Sequence, residues 1–116
     1  MDYEQIDVVL YNKQQSWYYK EVRNYTTGVG KSVALRVDIR RNAYDFQSWV
    51  NLDIFTPIGW KNIIGHPITD YPQVSEVSFV IENLSDKQAQ AFSDCAENLF
   101  GIGEKFINLK ILADLS

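Results

Sequence analysis

The sequence predicts an α+β fold: a mainly antiparallel β-meander sheet of five to seven strands, with one helix from the C-terminal half packed on one face. Three observations carry that expectation. Val33, Leu35, Val37 and Ile39 alternate with Ala34, Arg36, Asp38 and Arg40, and Ser48, Val50, Leu52 and Ile54 alternate with Trp49, Asn51, Asp53 and Phe55. A period of two is what a strand with one buried face produces, so these runs form a β-hairpin hinged on residues 41–45. Other short apolar and aromatic runs lie between turn signals, and one segment near the C-terminus has apolar residues at helical spacing.

Taken in order, Ile6, Val8 and Leu10 alternate with Asp7, Val9 and Tyr11, giving a first strand. A polar turn over 12–16 leads to an aromatic second strand over 17–25. Residues 26–30, with Gly28 and Gly30, form the clearest break. The long hairpin follows. Thr56-Pro57-Ile58-Gly59 suits a β-turn with proline at its second position, and 60–64 reads as a brief strand. The X-Pro pairs His66-Pro67 and Tyr71-Pro72 make 65–73 an extended loop. Val77, Phe79 and Ile81 alternate and predict one more strand. Ser85 and Gln88 are spaced as a capping box for a helix over 86–100, whose stripe is Ala89, Phe92, Cys95, Ala96, Leu99 and Phe100. Gly101 stands where a left-handed residue would stop it. In the tail from Lys105, Ile107, Leu109 and Ile111 favour a strand, although Ile107, Ile111 and Leu115 also suit a helix.

The 116 residues are expected to make one domain, 1–116. Its 46% apolar and 22% charged composition excludes disorder as an explanation of the chain. A single Cys excludes an internal disulfide and a cysteine-based zinc site. No apolar stretch near the N-terminus resembles a signal peptide, and no run approaches the roughly 20 apolar residues of a membrane span. A reducing cytoplasm is the expected setting, with no membrane partner. The net charge of −4 is uneven: residues 13–41 hold seven basic side chains against two acidic ones, while the rest of the chain is strongly acidic. Either that segment forms a basic face, or neighbouring strands bring acids beside its bases; the second is the more ordinary outcome.

Register sharpens the hairpin. For both inward sets to share a face, paired residue numbers must sum to an odd value. Pairing Arg41 with Phe46 leaves a four-residue loop over 42–45, sets Val37 opposite Val50, Asp38 opposite Trp49 and Arg36 opposite Asn51. Outward positions then lie about 6.6 Å apart along each strand.

No catalytic constellation emerges. Residues 25–32 end in Gly-Lys-Ser like a phosphate-binding loop, but Tyr25 occupies the first glycine's place and a strand follows, where such a loop needs a helix. His66 is the lone histidine, and Cys95 falls on an apolar stripe as a small hydrophobe. In the chosen register Asp38 and Asp53 are about 13 Å apart along the strands, beyond the reach of a carboxylate pair. No cofactor or metal site is expected. The remaining signal is basic and aromatic. The outward hairpin face, with Arg36, Arg40, Arg41, Tyr44, Trp49 and Asn51, predicts a small non-enzymatic module that binds another protein or itself, since Trp, Tyr and Arg dominate interface energetics. A two-fold dimer is the simplest form of self-association, through either the sheet edge or the outward face. The rival is a nucleic-acid binder that adds Trp17, Tyr19, Lys20 and Arg23 to the same surface. A second rival is a small hydrolase centred on His66.

Overall fold

The structure, a computed structural model, describes residues 3–13, 16–26, 30–42, 48–64, 74–84 and 89–115. Five antiparallel strands follow one another across a single sheet in the order β1-β2-β3-β4-β5: β1 (Tyr3–Lys13), β2 (Ser16–Thr26), β3 (Ser32–Asn42), β4 (Ser48–Thr56) and β5 (Gly59–Asn62). Among the described residues are two helices, α1 (Val74–Asn83) and α2 (Ala89–Leu115): α2 packs against β3 and β4, and α1 against α2 and β4. The α+β class and the antiparallel meander are therefore as the sequence predicts. So is the core face: Phe92, Cys95, Ala96, Leu99 and Phe100 of α2 are buried together with Leu35, Val37, Leu52 and Ile54, with Val33 and Val50 half-buried beside them.

Four expectations need correction. The segment around Val77 is helix α1, because its buried residues are Val80 and Leu84 with Val77 half-buried, a helical spacing. Phe79, which made the alternation look complete, is exposed on the opposite side of that helix. The tail is helical as well, since α2 runs unbroken through Gly101 to Leu115. Gly103 explains why a glycine sits there: a Cβ at that position would lie 2.6 Å from Cδ1 of Leu35, so the glycine lets the helix approach the sheet. Finally, Arg41 pairs with Ser48 and not with Phe46, a shift of two residues that preserves the faces and changes every cross-strand partner. The turn at Gly59 is as expected, with a φ of 110° on the glycine and the Thr56 hydroxyl donating to its carbonyl at 2.7 Å. The capping box at Ser85, the loop holding His66 and the hinge residue Tyr44 lie outside the described residues.

Candidate functional site

With both helices on one side, no other described element covers the opposite side of the sheet, and strand pairing lines its side chains into rows. Tyr11 pairs with Tyr18, Tyr18 with Arg40, and Arg40 with Trp49. Those pairings put four flat groups in one row across β1, β2, β3 and β4. The Tyr11 and Tyr18 rings stack at 5.0 Å with 10° between planes. The Arg40 guanidinium carbon lies 5.4 Å from the Tyr18 ring centre and 5.1 Å from that of Trp49. Distances of this kind hold a cation by the ring quadrupole without consuming its N–H donors. Trp49 is 44% exposed and Arg40 is exposed as well.

Beside this row lies a shallow concavity of about 330 Å³, lined by Tyr18, Lys20, Asp38, Arg40, Trp49 and Asn51. Its charges are largely matched. Lys20 stands 3.9 Å from Asp38, and Arg36 is bonded to Asp53 at 3.0 Å and approaches Asp38 at 3.8 Å. Of the bases in residues 13–41, Lys20, Arg23 and Arg36 thus have acidic partners on their own or adjoining elements. Among the described residues no carboxylate comes within ion-pair distance of Arg40. A second cluster lies further along the same face: the Arg36 guanidinium sits 4.4 Å over the Trp60 ring, and Trp60 meets exposed Phe55 edge-on at 5.3 Å.

Of the predicted contact residues, Arg36, Arg40, Trp49 and Asn51 do share this face. Arg41 does not. It pairs with Trp17 and Ser48 on the helix side, where it is half-buried and donates to the Ser48 hydroxyl at 2.8 Å. The two-residue shift in register also moves Asp53 opposite Arg36, so Asp38 and Asp53 are about 6.6 Å apart along the strands rather than 13 Å. Arg36 lies between them and binds both, which makes this a closed ion triad.

The secondary set divides sharply. Lys20 faces outward, but Tyr19 and Arg23 are buried on the helix side and Trp17 packs there against Phe92 at 6.1 Å. They surround a polar cluster that the sequence reading missed. Glu21, 1% exposed, accepts a hydrogen bond from the Tyr19 hydroxyl at 2.7 Å and one from Arg23 Nε at 2.5 Å. Both terminal nitrogens of Arg23 donate to Glu97 of α2, clasping helix to sheet. Above and below, the guanidinium carbon is 4.2 Å from the Tyr3 ring centre and 4.1 Å from that of Phe100. Burial works against the Arg23 cation, yet the bonds to Glu97 and Glu21 outweigh it and hold its pKa above the usual arginine value. Burial first, then the Glu21 hydrogen bond, raises the Tyr19 phenol well above its ordinary value. Tyr25, fully buried, is raised by burial and then by the charge of Glu104. Face parity of the second strand was the available signal: Trp17, Tyr19 and Tyr25 share the odd face with Glu21 and Arg23.

Cys95 is buried, and desolvation pushes its thiol up to about 12, so at neutral pH it is a protonated core group. Among the described residues, no group of three or more His, Cys, Asp or Glu is gathered to hold a metal ion, and no helix is long and apolar enough to cross a membrane. The segment ending in Gly-Lys-Ser joins two paired strands, with Ser32 donating to the Asn24 side chain at 2.9 Å, so its lysine and serine do not open a helix. Comparison with known proteins returns no match, whether to a protein-family model, a curated protein or a solved structure.

Proposed function

We propose that this protein is a non-catalytic interaction module whose outward sheet face binds another protein. The observation that supports the reading most directly is Arg40, exposed and held between Tyr18 and Trp49 with no carboxylate beside it among the described residues. Rings on both sides fix the guanidinium without occupying its donors, so little rotamer freedom is lost when a partner's carboxylate or carbonyl arrives. Trp49 and Asn51 supply apolar area and a polar group next to it, and Phe55 and Trp60 extend the aromatic surface.

Charge separates this reading from nucleic-acid binding. Lys20 and Arg36 are matched by Asp38 and Asp53, and Arg23 is buried in the core, so among the described residues the face offers no run of open cations of the kind that phosphates require. A pull-down with and without nuclease, comparing the wild type with an Arg40→Ala, Trp49→Ala double variant, tests the proposal. The expected result is a protein partner that survives nuclease, survives added salt and is lost from the double variant. A partner retained unchanged by that variant overturns the face as the binding surface, and loss on nuclease treatment assigns it to nucleic acid.

A further inference from the structure

The two edges of the sheet differ in protection. β5 has 4 residues and includes exposed Lys61, features that keep an edge from pairing with other chains. The opposite edge, β1, has 11 residues and exposes Ile6 (58%), Val8 (40%), Val9 (40%) and Tyr11 (38%). It exposes side chains on both faces, Val8 beside Glu21 on the helix side and Tyr11 beside Tyr18 on the outward side. A bulge between Gln5 and Asp7 interrupts the register and leaves residues 7–13 as the regular part of the strand, centred on Leu10.

We infer that β1 pairs with β1 of a second copy, antiparallel about a two-fold axis at Leu10, joining the two sheets into one. The regular segment is self-complementary in that register. Leu10 meets Leu10, Val9 meets Tyr11 of the second copy, and Asp7 meets Lys13, so unlike charges close both ends of the run. Opposed positions share a face throughout, because a two-fold axis normal to the sheet keeps both pairs of helices on one side. Centring the axis on Val8 fails this condition. It sets Gln5 opposite Tyr11, and the bulge has placed those two on different faces, as their partners Arg23 and Tyr18 show. The inferred occupant of the edge is a second copy, in the register that pairs the whole regular segment 7–13 with itself. Arg40 and Trp49 stand on β3 and β4, so this inference and the proposed binding face fail or succeed separately.

Light scattering on the purified chain is expected to give twice the monomer mass of 13.4 kDa. Asp7→Lys, which opposes two lysines at each end, should weaken the dimer about tenfold, and adding Lys13→Asp should restore it. Leu10→Cys should oxidise to a linked dimer, because directly opposed strand residues have Cα atoms about 4.5–5.5 Å apart. Val8→Cys, which lacks a self-opposed position, should link far more slowly, and buried Cys95 should not contribute. Circular dichroism confirms that each variant is folded. A wild type that stays monomeric at all concentrations overturns the inference, as does a dimer indifferent to Asp7→Lys or one that links faster through Val8→Cys.

Discussion

Arg23, on the helix side of the sheet, is buried between the Tyr3 and Phe100 rings and held by two carboxylates, whereas Arg40, on the outward side, lies exposed between Tyr18 and Trp49. Both guanidinium groups have a ring on either hand, closer for Arg23 (4.2 and 4.1 Å) than for Arg40 (5.4 and 5.1 Å). What differs is whether the donors are used. Inside, Glu21 and Glu97 take the Arg23 nitrogens, and the arrangement fixes α2 on β2. Outside, ring faces position the guanidinium, and among the described residues no carboxylate takes its edge. One residue type between two rings thus serves as a clasp in one place and as a presented group in the other, and burial decides which.

The comparison breaks first at the clasp. Arg23→Met leaves Glu21 buried with the Tyr19 hydroxyl as its remaining partner among the described contacts, and should cost about 3–5 kcal/mol in urea denaturation. Adding Glu21→Leu should recover much of that loss, since an apolar pair of similar volume replaces the buried charges. A cost below about 1 kcal/mol for Arg23→Met alone would mean that the cluster contributes little to holding the helix.

The two glycines of α2 give the next contrast, with opposite signs. Gly103→Ala drives a methyl against Leu35 and should destabilise by about 1–3 kcal/mol. Gly101 faces open space, so Gly101→Ala should stabilise by up to about 1 kcal/mol through helix propensity. Matching denaturation midpoints for the two variants would contradict the close approach at Gly103.

A smaller effect appears in alkali. The folded pKa values of Cys95, Tyr19 and Tyr25 are all raised, so the folded state holds these protons more tightly than the unfolded state does. Their contribution is complete below about pH 8.5, where an unfolded thiol begins to ionise. It declines above that pH through Cys95, and above about pH 10 through the two tyrosines. Denaturation midpoints should fall across that range, and Cys95→Ala should flatten the first part. In absorbance titration of the folded protein, Tyr19 and Tyr25 should ionise only well above the ordinary tyrosine range. Ionisation of both near pH 10 would contradict their burial.

How legible this was depended on where a local pattern had one meaning. The β3–β4 hairpin and the stripe from Phe92 to Phe100 were readable because alternation and helical spacing each persisted for several residues. Val77, Phe79 and Ile81 misled because three alternating residues also fit a helix in which Phe79 faces away. Gly101 resembled a stop signal, and only the sheet beneath shows that Gly103 serves close packing. Register inside the hairpin was fixed to parity but not to value, since loops of four and six residues both keep the faces. Arg36, Arg40, Trp49 and Asn51 survived the shift because parity alone sets their side. Arg23 and Tyr19 were misplaced because β2 joins β3 through the glycine-bearing break after Thr26, whose length does not reveal which face carries on.

The central claim is that partners meet the outward face and not the helix side. A photocrosslinking residue placed at Asn51, exposed on the outward face beside Arg40 and Trp49, tests it against the same residue at Gln90, exposed on α2. In cells, the account predicts an adduct with another protein from Asn51 and none from Gln90, with the Asn51 adduct lost when Arg40→Ala is added. Adducts from Gln90 alone, or an Asn51 adduct indifferent to Arg40→Ala, would contradict it.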